Sequence, residues 1–480
     1  MLTRGVVGSV LVLAGGLVVS TLPWSTPVLH WGGFGELLRT LRGHELTRVA
    51  ALLVVLSGLA LLASAWLRLC RWVATGPVGA LEDVRFATLV WSAPLVLAPP
   101  LFSRDGWSYA AQGMLAHLGI SPYEHGPGVL TGPVVQAVDP MWMHTHTPYG
   151  PLPLVFGEVF AAQTGNPWLL VTGHRAVALL GLVMLAWAVP RLARWCGADP
   201  ALASALVLAS PLMVANGVAG LHNDLLMVGL MACALVLAAE HGWAWGAALG
   251  GLAAAVKVPG GVVCIGVVLV SLPVAAGLRA RLRRTTGVAV VALGTLLGLG
   301  VVSGLGHGWV EGLTVPGVIN TPLSLTTVVG GLGDLGARLV GLGTDPATFR
   351  DLARTLGSVV AVGVAGWVAL RWDTGRRDRA VAAVALVTGA LVLTSPVVHL
   401  WYLLWTVPFF AVQALTRRSA AAVVAVSVVA GMVSPLDSSL RGAWLAIAMG
   451  SVAVAAVLPF LLLTPGARER VSRLSERLPI

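Results

Sequence analysis

Charge is what this chain most lacks: 10% of its 480 residues are charged, against about 25% in an ordinary soluble domain. With a mean hydropathy of +0.87, that shortage excludes a water-soluble globular protein and leaves an integral membrane one. Lysine is almost missing, since Lys257 is the single one and every other residue among the 30 Lys and Arg is arginine. Cysteine is scarce too. Cys70, Cys196, Cys233 and Cys264 sit in or beside apolar runs, with no CxxC pair and no histidine at ligand spacing. They read as core residues rather than disulfides or zinc ligands. There is no P-loop and no Rossmann fingerprint, no strict internal repeat, and no gap between apolar runs that fits a soluble domain of about 100 residues. A single membrane domain over 1–480 is the expectation.

What the chain has instead is a series of apolar runs able to cross a hydrocarbon core of about 30 Å as helices. They predict an all-α bundle of about 14 spans, near 5–23, 46–67, 86–102, 168–190, 200–217, 224–240, 242–256, 258–277, 285–305, 355–371, 380–395, 400–415, 419–434 and 442–464. The first run, GVVGSVLVLAGGLVVSTLPW after Arg4, resembles a secretion signal in charge and length. It has no small-x-small site before Pro23 and reads as an uncleaved span.

The formal charge of +10 raises nucleic acid as a partner, but the placement of the arginines speaks for topology instead. With both termini cytoplasmic, the inner loops hold Arg68 and Arg71, Arg191 and Arg194, Arg279 to Arg284, Arg371 to Arg379, and Arg417 and Arg418. A basic tail, 465–480, follows. Arg39 and Arg42 fall on the outer side, against the rule. His174 and Arg175, inside the fourth span, find no place in the scheme. Two long segments, 103–167 and 306–354, then lie outside. The first is rich in Trp, Tyr and Pro, which disfavours disorder, and is expected to form short helices lying on the outer membrane surface.

Polar clusters punctuate that outer face. SRDGWSYAAQG carries Arg104 and Asp105, where a carboxylate at the rim of a span is costly unless paired or useful. It is either an edge pair with Arg104 and an N-cap or a group that does chemistry. LHNDLL places His222, Asn223 and Asp224 together, more polar groups than one helix cap needs. Lys257, before the helix-breaking Pro259, is either a snorkelling side chain or a point charge for a phosphate. HLWY brings His399, Trp401 and Tyr402, with His399 and Tyr402 on one helical face; Asn320 is a weaker signal in the second loop. Such an outer cavity would suit a lipid-carried sugar phosphate delivered sideways through the bilayer. An aspartate would act as general base and cations would stabilise the departing phosphate.

The stretches SRDGWSYAAQG, HLGISPYEHGPG, THTPYGPLPL, GLHNDLLMVGL, AAAVKVPG and SPVVHLWYLLW resemble the actinobacterial polyprenol-phosphomannose-dependent α-1,6-mannosyltransferases, over about Leu101 to Leu404. That resemblance implies a GT-C fold and an inverting transfer of mannose from polyprenyl-phosphate mannose. The acceptor would be an α-1,6-mannan, the backbone of lipomannan and lipoarabinomannan, at the outer face of the plasma membrane. It implies Asp105 as the catalytic position. Lys257 and Arg104 are expected at the donor phosphate. Tyr109, Gln112, Tyr123, Glu124, His146, Tyr149, His222, Asn223, Asp224, His399, Trp401 and Tyr402 are expected at the sugar and acceptor. Many GT-C enzymes pair two acids in this loop, whereas Asp105 stands beside Arg104, so no metal is assigned; His144, His146 and Glu124 keep a divalent ion open. Partners are membrane lipids, the lipid-linked donor and a mannan glycolipid, with no nucleic acid. Arabinosyl or glucosyl transfer from a similar carrier is the nearest alternative, and a lipid-linked sugar flippase the one from another class.

Overall fold

The computed structural model describes residues 1–436 and Glu469. The span expected at 442–464, and the basic tail apart from Glu469, lie outside the described residues. Among the described residues the chain is helical, with no strand. The opening helices are α1 (Leu2–Val19), α2 (Gly32–Gly43), α3 (Glu45–Val73) and α4 (Ala80–Val96). Next come α5 (Asp105–His117), α6 (Pro151–Ala161), α7 (Pro167–Trp195), α8 (Pro200–Leu208), α9 (Asp224–Glu240) and α10 (Trp243–Val256). They are followed by α11 (Val263–Ser271), α12 (Leu278–Val302), the one-turn α13 (Trp309–Gly312) and α14 (Val315–Val318), then α15 (Leu325–Leu339) and α16 (Thr348–Arg371). The described part closes with α17 (Arg377–Thr394), α18 (Val407–Ala411) and α19 (Arg417–Val433).

Among the described residues, five helices, α1, α3, α7, α12 and α16, are long and apolar enough to cross a membrane, or six crossings if the bent pair α8 and Met213–Ala219 counts as one. Thirteen of the 14 expected spans fall on described residues; of these, several are single helices too short to count, such as α9 and α19, and others are broken. The run at 258–277 is a 3-10 turn, Val258–Val262, followed by α11. The run at 400–415 is a 3-10 helix, Leu400–Trp405, followed by the short α18. Prolines 259 and 408 sit at these breaks, where a missing N–H interrupts the ladder.

Helix α9 is the axis of the molecule. Its first thirteen residues, Asp224 to Val236, are all buried, as expected for a helix that is apolar all round. It crosses α7 where Gly181 meets Gly229: a Cβ on Gly229 would lie 2.6 Å from the Gly181 carbonyl oxygen. Only paired glycines allow backbones that close.

The arginine-bearing helix ends gather at one end of this bundle. Arg377, opening α17, donates to the Ala239 carbonyl near the end of α9 and lies over the Trp195 ring at the end of α7. Arg281 of α12 donates to the Ala369 and Trp372 carbonyls at the end of α16. The other end of α9, about 25 Å away at 1.5 Å per residue, starts with Asp224. Arg39 and Arg42, the dissenters in the charge pattern, turn out not to be topology charges. Arg42 donates to the carbonyls of Leu17, Val18 and Ser20 at 2.5, 3.1 and 2.8 Å, and Arg39 to that of Leu29. Arg42 thus satisfies the open carbonyls that end α1.

Candidate active site

The local alternatives for the polar clusters fail one by one. Asp105 does not cap its helix: the Asp105 N–H donates to Ser103 Oγ at 3.1 Å, and Asp105 opens α5 with its carboxylate free for other partners. Nor does it pair with Arg104, which forms no ion pair among the described residues and whose Nε is buried without a partner. Asn223 precedes α9 but makes no side-chain cap bond. Lys257 does not snorkel. It is buried where α10 ends and the chain turns extended, before the 3-10 turn Val258–Val262 that contains Pro259.

These side chains converge instead. His222 Nδ1 lies 3.5 Å from Asp105 Oδ2, and the Tyr109 hydroxyl donates to the same oxygen at 3.4 Å. Tyr109 also meets the Tyr149 hydroxyl at 3.2 Å. Such long contacts are common before substrate arrives and shorten in the reactive complex. Beside them, Lys257 Nζ donates to Asp224 Oδ1 at 3.1 Å, and the Trp405 indole N–H donates to the same oxygen at 2.6 Å. The ammonium sits among the rings of Tyr402, Trp405 and Tyr149 at 4.3, 5.1 and 5.4 Å, close enough for cation–π attraction. The phosphate cation expected at Lys257 is therefore already neutralised by a carboxylate. Of the two acids, Asp224 has a side chain 0% exposed while that of Asp105 is 9% exposed. Only Asp105 keeps an opening toward an incoming group.

Trp401 is held between two imidazoles, His222 stacked at 3.8 Å and His399 at 4.3 Å. Both faces of its ring are occupied, which rules it out as a platform for a sugar face; its indole N–H, buried and without a partner, is what it offers. Gln112 accepts from the Thr147 hydroxyl at 3.1 Å, locking the THTPYG loop to α5. The Tyr123 hydroxyl, His146 Nε2 and Asn223 Nδ2 are buried without partners. Orphaned polar atoms this numerous in one region mark a place where a polar ligand completes the bonding. Glu124 stands apart, exposed in the turn after Ser121. No three His, Cys, Asp or Glu side chains converge on a metal-sized site among the described residues, so His144, His146 and Glu124 do not meet. Asn320 accepts from Arg354, whose guanidinium also bonds the Ile319 and Pro396 carbonyls and so ties the second loop to the HLWY segment.

Trp405 was the residue most easily missed, because an aromatic at a span end reads as interfacial belt. The available signal was its spacing. In a 3-10 helix residues i and i+3 eclipse, and Tyr402 and Trp405 stack at 4.1 Å.

Burial pushes the Asp105 carboxyl up, but the His222 imidazole 3.5 Å away, with His399 and Lys257 further off, outweighs it and holds the group below the usual carboxylate range. The folded value is depressed, so this group's stabilisation is full above the unfolded pKa of about 3.9 and is lost as pH falls through the folded one. A base of this kind stays ionised at every physiological pH. Turnover should show no acid limb above about pH 4; a kcat/KM profile bending near pH 6 would assign the limb to another group.

Glycine 150 permits the Tyr149 loop to reach α10. Its N–H donates to the Val256 carbonyl at 3.0 Å, and a Cβ there would lie 2.3 Å from the Ala255 carbonyl oxygen. Gly150→Ala should displace Tyr149 from Tyr109 and lower turnover about 100-fold, the usual effect of a misplacement near 1 Å. Wild-type kinetics in that variant would show that the Tyr149–Tyr109 contact is dispensable.

Comparison with known proteins gives a consistent result. Residues 2–273 match the family model for the alpha-(1->6)-mannopyranosyltransferase N-terminal domain, and residues 326–464 match that for the MptB C-terminal domain. A probable alpha-(1->6)-mannopyranosyltransferase of Mycolicibacterium smegmatis is 30% identical over 95% of this chain and 87% of its own length. Alpha-(1->6)-mannopyranosyltransferase A of Mycobacterium tuberculosis is 32% identical over 88% of this chain and 82% of its own. Alpha-(1->6)-mannopyranosyltransferase B of Corynebacterium glutamicum is 30% identical over 84% of this chain and 71% of its own.

Proposed function

The chain belongs to the alpha-(1->6)-mannopyranosyltransferase family, and from that premise we propose that it transfers mannose from polyprenyl-phosphate mannose to an α-1,6-mannan acceptor at the outer face of the plasma membrane. It is a membrane-embedded mannosyltransferase. The donor, the acceptor and the side of action are the proposal. The observation that carries it is the juxtaposition of a partly open carboxylate, Asp105, with the caged ammonium of Lys257 at one end of the bundle, with Arg104 next to Asp105 in the chain. The arginine-rich helix ends lie at the other, which the positive-inside rule assigns to the cytoplasm.

In this reading the acceptor hydroxyl attacks the anomeric carbon from the face opposite the phosphate. The new C–O bond forms as the sugar–phosphate bond breaks with its electron pair, and the configuration inverts. Asp105 takes the hydroxyl proton. A weak base suffices, because that proton becomes acidic as the bond to carbon forms. His222 and Tyr109 keep the carboxylate aimed. The departing lipid phosphate gains negative charge, which Arg104 offsets; the Lys257 ammonium, already paired with Asp224, adds only a smaller share. Tyr149, Tyr402, Asn223 and the edge of Trp401 line the place for the sugar.

The test uses purified protein in lipid bilayers with synthetic lipid-phosphate mannose and short α-1,6-mannosides, reading product linkage by NMR. An α-1,6-mannosyl product made only from the lipid-linked donor supports the proposal. Turnover only with arabinosyl or glucosyl carriers replaces the sugar in it. Lipid movement between leaflets without glycosylation overturns it in favour of a flippase. Sidedness is read separately, by labelling an introduced cysteine next to Asp105 from each side of the membrane.

A further inference from the structure

We propose that Arg175 is a positioning residue for transfer: its guanidinium stitches the loop that leads to Asp105 onto the loop that leads to His222, and so sets the geometry between those two side chains. This rests on Asp105 being the base. Arg175, on α7, is 2% exposed and forms no ion pair among the described residues. Its guanidinium donates to the carbonyls of Val96 and Pro99 at 3.0 and 3.2 Å and to that of Ala98, and reaches the Ala219 carbonyl at 3.4 Å. Val96 is the last residue of α4 and Ala98 and Pro99 follow it, while the fourth carbonyl ends the π-helical turn Met213–Ala219.

A buried cation answered only by carbonyl dipoles carries a desolvation penalty, and a packed apolar side chain would avoid it. What the cation supplies is a seam. The Leu101 N–H donates to the Ala219 carbonyl at 3.0 Å, next to the point where Arg175 reaches the same oxygen. One residue beyond Leu101, Phe102 has φ +70°, and two beyond Ala219, Leu221 has φ +58°. Non-glycine residues are strained in this region and persist only where the surroundings over-determine them. The two strained residues then deliver Asp105 and His222 to a 3.5 Å contact. Lysine could not replace the fork, because a single ammonium does not span four carbonyls.

Arg175→Lys separates positioning from folding. The expected result is a kcat about 100-fold lower with the donor KM within about twofold, since no donor contact is removed. The acid limb of kcat/KM should also move up toward the ordinary carboxylate range, because Asp105 loses His222. The other titratable groups facing Asp105, namely Tyr109, Tyr149, Lys257, His399 and Tyr402, are not held by the seam. An unchanged kcat overturns the proposal. So does a loss that merely tracks the folded fraction while the limb stays in place. Hydrogen exchange reads the seam without activity. In the wild-type protein the Leu101 amide should exchange as slowly as the amides of α9, and in Arg175→Lys about tenfold faster or more. Wild-type exchange at Leu101 as fast as in the loop 121–145 overturns the proposal even if the variant does not fold. A wild-type enzyme inactive on lipid-phosphate mannose would count against the proposed function instead, leaving the exchange result to decide the role of Arg175.

Discussion

Asp105→Asn is expected to lower turnover about 10²–10⁴-fold, the contribution of a positioned general base, while the protein remains inserted and folded. Asparagine has the shape of aspartate, and its side-chain oxygen can still accept from Tyr109, so no buried donor is orphaned. What disappears is a site for the acceptor proton. Measured with the lipid-linked donor at saturating acceptor, the fall should appear in kcat and not in donor KM, because the carboxylate acts on the proton and not on the bound phosphate. Near wild-type turnover would falsify the role of Asp105. No other acid at hand could then take it over without rearrangement, since the neighbouring Asp224 is sealed beneath Lys257 and Trp405.

The Lys257–Asp224 pair should give the largest effect on stability. Lys257→Met leaves the Asp224 carboxylate, 0% exposed, with the Trp405 N–H as its remaining donor. Breaking a buried pair from one side typically costs about 3–5 kcal/mol, a large part of a membrane domain's margin. The double variant Lys257→Met/Asp224→Leu removes both charges and should recover most of the thermal stability, as apolar replacements of whole buried pairs do. Turnover separates the functional part. If the paired ammonium contributes its smaller share to the leaving phosphate, the double variant should recover its fold but stay about tenfold or more below wild type, the scale of a lost charge-assisted contact. A double variant with both stability and wild-type kcat and KM would make the pair purely structural and leave the phosphate to Arg104.

Much of the site was legible in the sequence because its signals are local. Hydropathy marked the helices, and breaks in it marked SRDG, LHND, VKVPG and HLWY as places where polar groups enter an apolar chain. A single lysine among arginines needs no structure to be noticed. Side-chain partnership was not legible. Trp405 and Asp224 are 181 residues apart, and nothing local in either segment says that one indole N–H ends on the other's carboxylate. The same holds for Trp401, whose neighbours in sequence made it look like a sugar platform. Two imidazoles from distant segments cover both of its faces.

Composition alone determined that this is a helical membrane protein, and the run of polar punctuation determined which side chains lie outside the apolar core. Tertiary structure alone decided that Lys257 is neutralised, that Asp105 rather than Asp224 keeps an opening, and that Arg175, which had no place in the charge scheme, binds carbonyls. The physical reason is that burial and helix propensity depend on the residue and its near neighbours. Pairing, by contrast, depends on how helices cross, and here that was set by contacts such as Gly181 on Gly229, far from the charges they bring together.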